Sequence, residues 1–109
     1  MPVIDTRDIL VLEKLPGWRG RIFHSAGATF GHWEFDAGSS IHEHFHPQEE
    51  IYHVIDGELE LVIEGEPHVA RPGLAVIVPS NARHSARALS DGRVLIVDAP
   101  RRTDVPEKR

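Results

Sequence analysis

Short apolar runs alternate with turn-forming residues along the whole chain, and no stretch repeats its apolar positions with a helical period. The clearest run begins at Glu58, where Leu59, Leu61 and Ile63 alternate with mostly acidic positions, so one face is buried and the other meets solvent. This pattern predicts an all-β protein. The predicted strands are Ile9–Leu12, Gly20–His24, Ala28–Phe35, Ser40–His46, Ile51–Ile55, Glu58–Ile63, His68–Ala70, Leu74–Val78, His84–Leu89 and Arg93–Asp98.

Glycine, proline, aspartate and asparagine fill the segments between these runs. Asp-Gly pairs between alternating strands favour tight hairpins, which we predict at Asp56-Gly57 and at Asp91-Gly92. Many short strands at close and regular spacing are typical of a β-sandwich or a β-barrel.

The length of 109 residues, with 40% apolar and 27% charged residues, predicts a single domain over residues 1–109. We expect the barrel core at about residues 20–100, followed by a loose C-terminal tail at residues 103–109, which is polar and contains a proline.

Charge and cysteine content exclude several classes of function. A net charge of −5 argues against a nucleic-acid partner, which would need a clustered basic excess. The absence of cysteine excludes disulfides, thiolate nucleophiles and cysteine metal sites. The N-terminal residues show no signal-peptide pattern and the apolar runs are too short to cross a membrane, so we expect a cytoplasmic protein.

The segment from residue 38 to residue 57 carries the strongest chemical signal. His44 and His46 are two residues apart, so in one strand both imidazoles point the same way, and Glu50 has the same parity beyond a turn at Pro47-Gln48. Its neighbour Glu49 is the alternative carboxylate, but strand parity favours Glu50. Two imidazoles and a carboxylate on one face form a site for a first-row transition metal. His84 is available downstream as a fourth ligand.

Two further side chains are candidates for a catalytic role. His42 shares the predicted inward parity of His44 and His46, and it is equally well interpreted as a spare ligand, a proton shuttle or a core histidine. Tyr52 has the parity of Glu50, so its hydroxyl either reaches the cavity or its ring fills the core.

The orientation of the strand at residues 28–35 stays open on sequence alone. Either Trp33 with Phe35, or Phe30 with His32 and Glu34, lines the cavity.

Two arginines, Arg21 and Arg87, are candidates for binding a substrate carboxylate, although charged residues on strands usually face solvent. No partner is apparent for His24, His32 or His68, which we expect to be solvated.

The spacing of these residues resembles the first motif of the cupin family, in which a glycine, an H-x-H pair, a glutamate and a second glycine recur at fixed intervals. Gly38, His44, His46, Glu50 and Gly57 satisfy every position of it.

The second cupin motif is also recognisable. Gly73, Pro79 and His84 match it, while Asn81 replaces a glycine and Ala88 replaces an asparagine. Asn81 is a mild change, because asparagine tolerates the left-handed backbone conformation that glycine would supply.

The resemblance implies a single-domain jelly-roll β-barrel. It also implies one divalent transition metal per chain (Fe, Ni, Mn, Co, Zn or Cu) held by His44, His46, Glu50 and His84. It further implies a small-molecule substrate and a homodimer in which chains exchange N-terminal strands, here Ile9–Leu12.

Within the family, the implied function is a metal-dependent enzyme acting on a keto acid, a sugar acid or a diketone, of isomerase, lyase or dioxygenase type. Asp98, Pro100 and Arg102 are similar to a stretch in cupins that linearise unsaturated uronates, but those proteins carry glutamine in place of Glu50 and a longer Asp-to-Arg spacing. The alternative is a non-catalytic ligand-binding or sensor cupin with a structural metal.

Overall fold

The structure is a computed structural model that describes residues 3–105. These residues form ten strands and one short 3-10 helix, Thr6–Asp8. The strands are β1 (Leu12–Leu15), β2 (Trp18–His24), β3 (Thr29–Phe35), β4 (Ser40–His44), β5 (Glu49–Asp56), β6 (Leu59–Ile63), β7 (Glu66–Ala70), β8 (Ala75–Val78), β9 (His84–Ala88) and β10 (Gly92–Ala99).

The strands form two antiparallel sheets. The larger has the order β1-β2-β3-β10-β5-β8, and the smaller has the order β4-β9-β6-β7. Their inner faces enclose one core, which confirms the predicted all-β jelly-roll fold.

The predicted first strand overlaps the observed β1 only at Leu12, whereas each of the others overlaps an observed strand over several residues. We expected Ile9–Leu12, but β1 begins at Leu12 and leads into the two-residue turn Pro16-Gly17, across which Leu15 pairs with Trp18. Ile9 is instead buried just after the short helix. In this structure β1 pairs with β2 of its own chain, and the homodimer stays a prediction.

The predicted Asp-Gly hairpins are wrong, because both pairs connect strands of different sheets. Their glycines are needed for close packing instead. A Cβ on Gly57 would meet the backbone carbonyl of Asp91, and a Cβ on Gly92 would meet that of Asp56. The two crossings therefore pack backbone against backbone.

Two-residue hairpins do form elsewhere, as between β6 and β7. Glu64 and Gly65 form that turn with positive φ angles of 48° and 78°, as a primed turn requires.

Apolar and polar residues occupy successive rows of the large sheet. Val54 of β5 lies opposite Val94 of β10, whereas Glu50 lies opposite Asp98 nearer the other end of the strands. The apolar rows join Trp18, Phe35 and residues of the smaller sheet in the core, so the buried polar groups gather at one end of the barrel.

The open question about strand 28–35 is settled in favour of Trp33 and Phe35 facing inward, with Thr29 and Gly31. Phe30 lies on the opposite face, where its ring stacks on that of Phe23 with centroids 5.1 Å apart.

Of the tail expected to be loose, residues 103–105 make defined contacts, including one from the Val105 carbonyl to His24, and residues 106–109 lie outside the described residues. Among residues 3–105, no helix is long and apolar enough to span a membrane.

Replacing Gly57 with alanine tests the packing of the two crossings. We expect the free energy of unfolding to fall by about 3 kcal/mol or more, since a left-handed backbone conformation and a backbone clash act together. Gly65→Ala is the matched control, because its φ is also positive but no atom lies near its Cβ, so a loss of about 1 kcal/mol is expected. Urea unfolding of both variants measures the difference, and equal losses would contradict the interpretation.

Candidate metal centre

Four side chains converge at the polar end of the barrel: His44, His46, Glu50 and His84. One potential ligand atom from each lies within 4.8 Å of all the others. Three of the side chains are buried and His44 is half-buried. The alternative carboxylate, Glu49, is exposed and points away.

His44 reaches this position because β4 contains a bulge. Ile41 pairs with Ala86 and His44 with His84, so β4 has one residue more than β9 between these pairs. Ile41 and His44 consequently both line the cavity, although strict alternation would place them on opposite faces. The predicted inward orientation of His42 is therefore wrong, since its side chain is exposed.

The sequence pattern predicts His44 and His46 in one strand, but the structure places only His44 in a strand. β4 ends at His44, and His46 lies in the following loop. The carbonyl of His46 accepts a hydrogen bond from the amide of Asn81 (2.8 Å), and Ser80 Oγ donates to the carbonyl of Pro47 (2.6 Å). Asn81 has a φ of 62°, so it adopts the left-handed conformation expected of it. These bonds fasten the loop beside His84.

Each imidazole is held by its Nδ1 atom. His44 Nδ1 lies 2.8 Å from the carbonyl oxygen of His42, His46 Nδ1 lies 3.1 Å from that of Gln48, and His84 Nδ1 lies 2.8 Å from that of Ala82. A carbonyl can only accept, so each Nδ1 carries a proton and donates it. Each Nε2 is thereby left with its lone pair directed at the centre of the cluster.

These lone pairs face the carboxylate of Glu50. His84 Nε2 lies 3.1 Å from Oε1, and the buried Nε2 of His46 lies 3.5 Å from Oε2 without a hydrogen bond. Lone pairs directed at a carboxylate need a cation between them, either a proton or a metal ion. Three imidazoles and one carboxylate are a donor set that suits first-row divalent metals, so the residues fit the implied metal.

The pKa values of His44 and His84 are shifted in opposite directions. Burial lowers the pKa of His44, which favours the neutral ring that a metal requires. Burial, the largest single influence, acts on His84 in the same direction, but the hydrogen bonds to Glu50 and to the Ala82 carbonyl and the charge of Glu50 together outweigh it and raise the pKa of that imidazole.

Glu50 and Asp98 form a carboxyl pair on adjacent strands. Burial raises the pKa of Asp98 to about 9, with a further contribution from Glu50. Burial opposes ionisation of Glu50 too, but the nearby side chains of His46, His84 and Asp98 lower its pKa well below the usual range. The pair therefore holds one proton, on Asp98, and Glu50 remains a carboxylate.

A cavity of about 160 Å³ opens beside the cluster. His44, Glu50, Asp98 and Arg102 form part of its polar side. Tyr52 also lines it, and burial followed by the charge of Glu50 raises the pKa of its hydroxyl. Both interpretations of Tyr52 apply, because its ring is part of the core and the residue also lines the cavity, and its catalytic role stays a prediction.

The arginine of the cavity is Arg102. Neither earlier candidate lines it, because Arg21 lies on the outer face of the large sheet and Arg87 pairs with Glu60 at 3.6 Å. Arg102 Nη1 lies 3.6 Å from Asp98 Oδ2 and 3.8 Å from Glu50 Oε2. Strand alternation makes no prediction for Arg102, because this residue follows the last strand; it was singled out only by the resemblance to other cupins.

Two residues of neighbouring strands clamp the segment that carries Arg102. Thr29 Oγ1 accepts a hydrogen bond from the Arg102 amide and lies 2.8 Å from His24 Nδ1. His24 Nε2 lies 2.9 Å from the carbonyl oxygen of Val105, so it is the protonated nitrogen and Nδ1 accepts from the threonine hydroxyl. The expectation that His24 is solvated is therefore wrong, and sequence gave no signal for Thr29.

Removing the hydroxyl of Thr29 tests this clamp. In Thr29→Val the Arg102 amide and His24 Nδ1 lose their buried partner, which costs about 1–3 kcal/mol locally. We expect hydrogen exchange at the Arg102 amide to accelerate at least about tenfold, whereas Thr29→Ser should keep exchange near the wild-type rate. Unchanged exchange in the valine variant would show that the segment is held by other contacts.

Comparisons with known proteins agree with this architecture. The family model described as Cupin domain matches residues 31–100, more than half of the chain. The structure of KdgF from Halomonas sp. is 31% identical, with a TM-score of 0.82 over 87% of this chain and 89% of that one. An RmlC-like cupin from Shewanella frigidimarina has the same fold, with a TM-score of 0.87, 19% identity and 95% of each chain covered.

Among curated proteins, SchB from Streptomyces halstedii is 34% identical over 77 residues, which are 67% of this chain and 56% of SchB. The chain spans about half the length of the first curated relatives that it matches. With its two motifs, its jelly-roll fold and this family match, the chain belongs to the cupin family.

Proposed function

We propose that His44, His46, Glu50 and His84 bind one divalent transition metal, and that the chain is a metal-dependent enzyme acting on a small oxygenated molecule. The observation that carries this proposal is the orientation of the three imidazoles. Each is fixed by an Nδ1–H bond to a backbone carbonyl, which leaves three Nε2 lone pairs and a carboxylate directed at one point.

The ligand set suits Fe, Ni, Mn, Co, Zn or Cu. When bound at such a site, a divalent metal polarises a carbonyl oxygen or lowers the pKa of a bound water.

Access to the cluster favours catalysis over a structural metal. Structural sites are closed by protein ligands, whereas catalytic sites keep a position open to substrate. Here His44 and Glu50 are themselves part of the cavity wall, so a small molecule in the cavity would contact the centre directly.

The chain's own polar groups suit an oxygenated substrate. The side chain of Arg102 is only 15% exposed. Its Nε and Nη2 donate to Asp104 at 2.8 Å, and its Nη1, near Asp98 and Glu50, is the atom that would meet a carboxylate or enolate oxygen of a substrate. Asp98 lies opposite Glu50 on the neighbouring strand, and burial, which raises its pKa to about 9, favours a protonated carboxyl beside the Glu50 carboxylate. Proton transfer beside a carbonyl is the chemistry of an isomerase or a lyase.

Metal content per chain tests the proposal. Protein made without a histidine tag and purified without chelator should carry about one equivalent of a first-row divalent metal, measured by elemental analysis. His44→Ala should lower metal affinity at least about 100-fold, because it removes a direct ligand. His68→Ala is the matched control, since His68 is exposed on β7, and it should bind as wild type does. Wild-type protein that takes up no metal would refute the proposal.

Measuring oxygen uptake distinguishes an isomerase or lyase from a dioxygenase. With Fe(II)-loaded protein and candidate keto acids, sugar acids and diketones, conversion without consumption of dioxygen assigns an isomerase or lyase. Stoichiometric uptake assigns a dioxygenase. Metal-loaded protein that binds these compounds without converting any of them would favour the non-catalytic alternative.

A further inference from the structure

Trp33 lies flat on the floor of the cavity, over two glycines. Gly20 of β2 is directly opposite Trp33 of β3. A Cβ on Gly20 would lie 2.7–2.8 Å from three carbons of the indole, Cδ2, Cε3 and Cε2. Such similar distances to three ring atoms mean that the face of the ring rests on Gly20. A Cβ on Gly31 would likewise meet Trp33 Nε1.

The other face of the indole is directed toward the cavity, which Trp33 helps to line. Among residues 3–105, no aromatic ring lies in parallel stacking on the indole; the ring of Trp18 has its centroid 6.5 Å away and its plane inclined by 63°. Because Gly20 and Gly31 have no side chains, the indole of Trp33 can pack directly against the sheet. A side chain at either position would push the indole into the cavity.

The rest of the cavity lining is mostly apolar. Its charged residues are Glu50, Asp98 and Arg102, which lie together beside His44, and Lys14 of β1. The apolar part is formed by Leu12, Leu15, Trp18, Ile22, Ile41 and Ile96. A polyhydroxylated molecule would lose its hydrogen bonds to water against this surface without replacing them, whereas a flat apolar ring would lose none.

We infer that the substrate is a flat conjugated molecule with an oxygenated head, such as an enolised diketone that carries an aromatic ring, and that Trp33 is the platform on which its ring stacks. This inference rests on the proposed function, because the head would lie at the metal ligands. Trp33 is thus a specificity-determining residue, and Gly20 and Gly31 are the positions that seat it.

Three compounds distinguish the contribution of the oxygenated head to binding from that of the aromatic ring. Zn(II)-loaded protein is titrated calorimetrically with acetylacetone, with its phenyl analogue benzoylacetone, and with galacturonate. Stacking and burial of the phenyl ring should make benzoylacetone bind about tenfold more tightly than acetylacetone. Galacturonate should bind more weakly than either diketone.

Variants localise the effect of the ring. Trp33→Leu removes the platform, and Gly20→Ala tilts the indole of Trp33 without removing it. Each variant should abolish most of the tenfold preference for benzoylacetone over acetylacetone. His32→Ala is the control, because His32 is adjacent on β3 but exposed on the opposite face. Circular dichroism establishes that each variant is folded.

Metal content measured on the same samples distinguishes the two possible failures. Absence of bound metal would overturn the proposed function and this inference with it. Bound metal with equal affinities for the two diketones, with tighter binding of galacturonate, or with a ring preference that persists in Trp33→Leu would overturn the platform alone.

Discussion

The candidate centre depends on three hydrogen bonds in which imidazole Nδ1 atoms donate to backbone carbonyls. Each bond selects the tautomer of one histidine and fixes the plane of its ring, so the lone pairs converge on a buried carboxylate. Because the acceptors are main-chain atoms, the geometry of the site is set by the path of the backbone at residues 42, 48 and 82. The bulge in β4 and the loop fastened to Asn81 determine that path.

Cross-strand register links the centre to the opposite edge of the cavity. Glu50, Asp98, Thr29 and His24 are paired in turn across β5, β10, β3 and β2, so four polar side chains lie in one row of the sheet. The same row holds the segment that carries Arg102. The charged groups around the centre are therefore arranged by the regular geometry of a sheet, which is stiffer than a surface loop.

Alternation of apolar and polar residues predicted an all-β protein, and local spacing predicted a site at His44, His46 and Glu50. The jelly-roll topology and the complete set of four ligands with His84 came from the resemblance to the cupin motifs. Sequence reasoning placed His42 incorrectly because parity fails at a bulge, which depends on pairing between distant strands. It left Trp33 undecided because both faces of β3 carry aromatic residues. Thr29 and His24 were missed because their partners come from a segment more than 70 residues away.

The crossings at Asp56-Gly57 and Asp91-Gly92 join the two sheets through contacts between backbone atoms. The separation of the sheets at that end is consequently set by backbone atoms, with the buried ring of Phe35 packed against Gly92. Residues at the other end can then change in size and polarity without altering how the barrel closes. A scaffold of this kind separates the part of the molecule that sets its width from the part that selects a ligand, which leaves the cavity free to diversify in evolution or in design.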